Sequence, residues 1–217
     1  MEDVLEVYTR PYDPKRPQVC FDEGSVQLVS ELREPLEMQP GQVKKVDYEY
    51  EREGFCSLFL ACEPLKGKTV IQVKDRRTKK DFAHFMLYLI DEVYPDAEKI
   101  LLVMDNLNTH TPGAFYHVFP PEEAMRLAKK LEIHYTPLHG SWLNMAEIEL
   151  SVLGRQALNT RLKNQAFVQA RIAAWQARRE AHPVSINWRF TTADARIKLK
   201  RLYPSIEVNT PEEQSAG

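Results

Sequence analysis

The run Lys99-Ile100-Leu101-Leu102-Val103-Met104-Asp105 constrains this chain most. Five consecutive apolar residues closed by an acid leave no polar side to face water. They fit a strand covered on both faces, and hence a sheet with layers on either side. An aspartate closing such a strand is costly unless it is solvated at the sheet edge, paired, or bound to a cation. The crevice beyond strand ends is where α/β sheets place their sites.

The neighbouring pattern completes an α/β order. Val19–Asp22 and Ser25–Val29 are predicted as two short strands with Gly24 breaking between them, Phe55–Cys62 as the strongest early strand, and Thr69–Val73 as another. Short turns between these make them antiparallel, and the later strands, separated by helices, are parallel additions. Thr78 and Asp81 form an N-terminal cap pair for a helix whose apolar stripe is Phe82, Phe85, Met86, Leu89, Ile90 and Val93, ended by Pro95. Pro121 to Lys130 is predicted as a helix, since Pro-Glu-Glu suits a helix start. Ile133–Thr136 gives a short strand. A helix is expected from Trp142 to Leu158 with Ser141 as its N-cap, then helices over Phe167–Arg179 and Ala193–Leu202. The expected fold is thus α/β, a mixed five-stranded sheet with helices on both faces and a basic helical C-terminal extension. Pro11, Pro14 and Pro17 make residues 1–17 an extended lead-in. Residues 31–54 are a loop or insertion. The domain divides as 18–160 for the α/β body, 161–203 for the extension and 204–217 for a disordered tail.

Composition narrows the function class. The 217 residues carry a net charge of −2, which on its face discourages a nucleic-acid role. The distribution reverses that impression. Residues 1–150 hold 18 Lys/Arg against 26 Asp/Glu, whereas residues 151–203 hold 11 Lys/Arg against Glu180 and Asp194 alone. A basic segment beside an acidic body suits a phosphate-binding surface as well as a solvated helix face. Three cysteines (Cys20, Cys56, Cys62) without a C-x-x-C pair make a disulfide scaffold or a cysteine-based zinc site a poor fit. No apolar run approaches the roughly 18–20 residues of a membrane span, so a cytoplasmic protein with no membrane partner is expected.

Asp22 and Asp105 close strands, and Glu147 lies early in the helix expected after Ser141. Convergent carboxylates form a hard-oxygen site suited to Mg²⁺ or Mn²⁺, and two such ions suit phosphodiester chemistry. Each acid alone is equally a turn former or a helix-dipole partner. Glu149 competes with Glu147 for the third place but points about 200° away around the helix. Glu23 alternates to the opposite face from Asp22.

Three segments carry a resemblance: Val19-Cys20-Phe21-Asp22-Glu23, Asp105-Asn106-Leu107-Asn108-Thr109-His110, and Ser141-Trp142-Leu143-Asn144-Met145-Ala146-Glu147. Together they resemble the acidic motifs of DDE transposases, most closely mariner-like bacterial insertion-sequence transposases of the retroviral-integrase and RNase H-like superfamily. The resemblance continues through Asn187–Arg196. It implies an RNase H-like fold and Asp22, Asp105 and Glu147 as the catalytic, metal-binding triad, using Mg²⁺ or Mn²⁺, two ions in number. It also implies nicking at transposon ends followed by strand transfer. Its partners would be double-stranded DNA, a second copy of the chain, and a helix-turn-helix part outside this sequence, since only about 20 residues precede Asp22. An RNase H-like nuclease or resolvase without strand transfer, or a catalytically silent DNA-binding remnant, are the alternative functions. Asn106, His110, Trp142 and Asn144 are expected either to support the acids or to touch DNA. Lys74, Arg76, Arg77, Lys79, Lys80, Arg155, Arg189, Arg196, Lys198 and Lys200 are expected to line a DNA channel, together with Arg161, Lys163, Arg178, Arg179 and Arg201.

Overall fold

The computed structural model describes residues 1–31 and 50–203. Five strands form one sheet: β1 (Gln18–Glu31), β2 (Tyr50–Glu63), β3 (Lys68–Lys74), β4 (Ile100–Met104) and β5 (Leu131–Tyr135). Their order is β3-β2-β1-β4-β5. β1 and β2 pair antiparallel, as do β2 and β3, whereas β1–β4 and β4–β5 are parallel. This is the mixed sheet expected from the sequence, in the RNase H-like arrangement. All five residues of β4 are buried, which places the Ile100–Met104 run in the interior of the sheet.

Alternation along the strands divides the interior into two cores. Cys20, Leu58, Leu60, Leu101 and Val103 face one side. Val19, Phe21, Phe59, Leu102 and Met104 face the other. Helices α2 (Lys79–Tyr88), α3 (Gly113–Tyr116) and α4 (Pro121–Lys130) cover the second side. On the first side lie α1 (Glu2–Thr9), α5 (Met145–Gln156), α6 (Gln165–Ala181) and α7 (Thr192–Lys198). Helix α2 has the predicted capping box between Thr78 and Asp81, and its last turn widens into a π-helical turn, Leu89–Val93.

Four expectations change. Residues 2–9 are a helix, not an extended lead-in. The prolines exclude a helix only from residue 11 onward, and Val4, Leu5, Val7 and Tyr8 are buried on one side of the two turns before them. β1 is continuous through Gly24. The glycine does not break the strand but keeps it clear of α5, since a Cβ there would stand 3.2 Å from Leu150 Cδ2. β2 begins at Tyr50 rather than Phe55, with Gly54 at φ 97° inside it. The remainder of the expected 31–54 loop and the 204–217 tail lie outside the described residues. Finally, Ser141–Leu143 is a separate 3₁₀ turn, and α5 is capped by Asn144, not Ser141.

Within 161–203, helices α6 and α7 form near the places expected, with non-helical chain over 182–191 between them, and the segment is built into the first core. Leu162, Val168, Ile172, Trp175 and Ala195 are buried there. Val29 N–H donates to Leu162 O at 2.8 Å, tying the segment to β1.

Candidate active site

β1, β3, β4 and β5 all run in one direction. The connections after β3, β4 and β5 therefore open at the same end of the sheet. Asp22 lies on β1 two residues past the last β1–β4 pair, Cys20↔Val103. Asp105 follows β4 directly, and Glu147 sits in the first turn of α5. The three acids interact: burial and the negative charges of Asp105 and Glu147 raise the Asp22 carboxyl to about 6, against a hydrogen bond from the Glu23 N–H that favours its ionised form. Only groups close together do this in a partly buried setting.

Glu149 is placed elsewhere. It is buried, and its Oε1 accepts from Arg179 at 2.6 Å. Burial raises its pKa while Arg179 opposes the rise. One face of α5 thus carries Glu147 toward Asp22, and another carries Glu149 into an ion pair with α6.

The loop before α5 is held at several points. Asn144 caps α5 through its Oδ1, which accepts from Ala146 N–H at 3.1 Å. Its Nδ2 donates to Phe21 O at 2.8 Å, the carbonyl just before Asp22. Asn144 is 1% exposed, so it fixes Glu147 relative to Asp22 and does not reach DNA. Tyr8 of α1 donates to Leu143 O at 2.7 Å. That support escaped the sequence reading along with α1 itself, although the buried spacing of residues 4, 7 and 8 is a helical signal.

His110 is wholly buried, which removes a contact with DNA phosphate. Its Nδ1 lies 2.5 Å from Asp105 Oδ1 and its Nε2 3.0 Å from Glu23 Oε1. Burial alone would lower its pKa, but the two carboxylates together outweigh burial and raise it to about 9. Asn106 and Trp142 are exposed. Trp142 stacks on Trp188 at 6.5 Å and meets Phe190 edge-on at 5.5 Å, a half-open aromatic cluster. A cleft of about 310 Å³ lies against Asp105 and Asn106, with Leu138 and Ser141 across from them.

Among the described residues, no three His, Cys, Asp or Glu side chains stand close enough together to hold a metal ion as they are placed. The donor chemistry nevertheless fits a divalent cation. The acids are hard oxygen ligands, and Asp22, raised first by burial and then by the charges of Asp105 and Glu147, is a carboxyl whose ionised form a cation would favour. Asp105 keeps 31% of its side chain exposed, so it is open to an ion from solution.

The expected DNA-facing cations separate into two groups. Arg76 and Arg77 in the β3–α2 connection and Lys79 and Lys80 in the first turn of α2 are exposed, at the same sheet end as Asp105, with Lys74 half-buried beside them. Arg155, Arg189, Lys198 and Lys200 are also exposed. Arg196, by contrast, forms a two-pronged pair with Glu2 at 2.8 and 2.7 Å, which ties α7 to α1. Arg179 is committed to Glu149.

Residues 17–168 match the family model described as DDE superfamily endonuclease. The fold is similar to the Mos1 mariner paired end complex with Mn, at 15% identity and a TM-score of 0.55, over 80% of this chain and 52% of that one. It is likewise similar to the Mos1 transposase paired-end complex with left transposon end, at 17% identity and 0.54, over 81% and 53%. For the Mos1 transposase catalytic domain with raltegravir and Mn the values are 12% and 0.54, over 80% and 76%. The chain therefore spans about half the length of the paired-end proteins. No curated protein matches the sequence.

Proposed function

The chain belongs to the DDE superfamily endonucleases, and from that premise we propose that it is the catalytic part of a mariner-like DNA transposase. Residues 18–160 would form the catalytic unit, with the basic 161–203 segment packed against it. The observation that carries this is the convergence of Asp22, Asp105 and Glu147 from β1, β4 and α5, felt electrostatically at Asp22. The reaction is nicking at transposon ends, then attack of the freed 3′-hydroxyl on target DNA.

Asp22, Asp105 and Glu147 would hold Mg²⁺ or Mn²⁺, two ions in all. When bound, the ions supply Lewis acidity, sharpening the attacking oxygen and neutralising the leaving one. The protein's own part is placement. Asn144 fixes the start of α5 to the backbone beside Asp22, and Tyr8 steadies the preceding turn. The exposed cations of the β3–α2 connection and the first turn of α2 would hold the phosphate backbone near the acids, a sequence-independent attraction that weakens with salt. Trp142, exposed beside Trp188, offers a ring for a base or deoxyribose. Paired transposon ends imply a homodimer on DNA, and end recognition implies a helix-turn-helix part beyond this chain. A cytoplasmic, nucleoid-associated location follows from the DNA substrate, and none of the described helices is long and apolar enough to cross a membrane.

The test is metal-dependent nicking of supercoiled plasmid carrying the DNA that flanks the coding sequence. Asp105→Asn is expected to abolish nicking while the folded state persists. Activity retained in that variant refutes the assignment. Joined products with added target DNA separate strand transfer from simple cleavage.

A further inference from the structure

Glu23 was expected on the opposite face of the strand from Asp22, and it stands there, next to a histidine ring lodged between Phe21 and Phe82. His110 lies 5.2 Å from Phe21, edge-on, and 5.0 Å from Phe82, centroid to centroid. The Glu23 side chain is 2% exposed and that of His110 0%. A carboxylate placed so deeply costs several kcal/mol unless it is paired.

The hydrogen bonds form an unbroken path. Glu23 N–H donates to Asp22 Oδ1 at 2.8 Å. Glu23 Oε1 accepts from His110 Nε2 at 3.0 Å, and Asp105 Oδ1 accepts from His110 Nδ1 at 2.5 Å. Carboxylates only accept, so both ring nitrogens donate. The ring's own backbone is fixed as well, because Tyr135 Oη donates to His110 O at 2.8 Å.

This path spans a gap in the sheet. Backbone pairing between β1 and β4 ends at Cys20↔Val103, before either acid is reached. Beyond that point nothing in the ladder fixes Asp22 relative to Asp105. The Glu23–His110 bridge crosses the gap and commits one Asp105 oxygen, Oδ1, to the ring.

We infer that Glu23 is a positioning residue: through His110 it sets where the Asp105 carboxylate stands relative to Asp22, and so how that carboxylate is presented to a divalent cation. This rests on the proposed metal-dependent function but assigns a role to a residue outside the three acids. Outer partners that hydrogen-bond a metal ligand typically matter about 10–100-fold in metal affinity, and Glu23 acts on Asp105 one link further out, through His110.

The test is Mn²⁺ binding to the full 217-residue chain, read without DNA by the electron paramagnetic resonance signal of free Mn²⁺. Glu23→Ala is expected to weaken binding about tenfold or more. Glu23→Gln keeps the size and an acceptor oxygen but makes a neutral hydrogen bond, about half as strong, so a loss of about threefold is expected. The graded order, wild type tighter than Gln and Gln tighter than Ala, is what a merely structural role would not produce. Wild-type affinity in Glu23→Ala overturns the inference while leaving the metal site intact. Should Glu23→Ala not fold, Glu23→Gln decides alone: about threefold weaker binding supports the bridge, and unchanged binding overturns it. Absence of Mn²⁺ binding in the wild-type chain would instead sink the metal reading itself, and the bridge's role with it.

Discussion

Asp22→Asn is expected to stabilise the metal-free protein, an unusual direction for a residue of an active site. Asp22 is partly buried, with Asp105 and Glu147 bearing on it, and its pKa rises from 3.8 to about 6. A carboxyl raised on folding binds its proton more tightly in the native state. Stability therefore falls as pH rises from the unfolded value through the folded one, and stays lowered above it. A shift of about 2 units corresponds to about 3 kcal/mol at full effect, and solvent screening in a half-open site reduces it to about 1–3 kcal/mol. Asn keeps the oxygen that accepts from Glu23 N–H and removes the charge. Urea unfolding in EDTA is the assay. At about pH 4 and below the variant and the parent should nearly coincide; at about pH 8 the variant should be more stable by about 1–3 kcal/mol, or roughly 2–9 °C in Tm. Mn²⁺ should then raise the parent's stability and not the variant's. A difference that does not grow between those pH values, or a destabilised variant, would refute the claim that the three acids share one field.

Other substitutions separate neighbouring roles. Glu149→Ala strands Arg179 in a buried position and should cost about 3 kcal/mol by urea unfolding, whereas Glu147→Gln should leave stability near that of the parent and remove nicking. Alanine at both Lys79 and Lys80 should lower the slope of log K against log salt by about one per residue, measured by fluorescence anisotropy on duplex DNA; Arg196→Ala, already paired with Glu2, should change that slope less. Tyr8→Phe removes the bond to Leu143 O and should cost about 0.5–1.5 kcal/mol in thermal unfolding while lowering nicking. Gly140→Ala would place a Cβ 2.5 Å from Pro137 Cγ; a loss of about 1–3 kcal/mol is expected, with reduced cleavage because the 136–141 loop borders Asp105.

Local signals transmitted well where one segment carried the whole pattern. The α2 stripe and its Thr78–Asp81 box, the Pro121 start of α4 and the apolar β4 all appear in the structure where the sequence places them. Signals that depend on a distant partner did not. Gly24 reads locally as a breaker, yet it lies within a strand because Leu150, far along the chain, occupies the space above it. Ser141 and Asn144 are both good N-caps. Asn144 prevails because its amide also reaches Phe21 O, a bond formed only when β1 and α5 meet. The two turns of α1 are too short to hold themselves in water and are legible only through the core that buries Val4, Leu5 and Val7.

Residue order alone carries the layered α/β sheet, the division of charge between an acidic body and a basic segment, and the acids at positions 22, 105 and 147. Periodicity and residue chemistry are local properties, present in the chain before it folds. Helix geometry already set Glu149 apart from Glu147, but only the tertiary structure supplied Glu149 with its partner, Arg179. Tertiary structure also decided that Arg196 braces α1 and that a buried histidine ties Glu23 to Asp105. Each of these depends on groups 30 to 194 residues apart, or on two strands parting at the end of their ladder. Side chains so distant acquire partners only when the sheet and its two layers have closed.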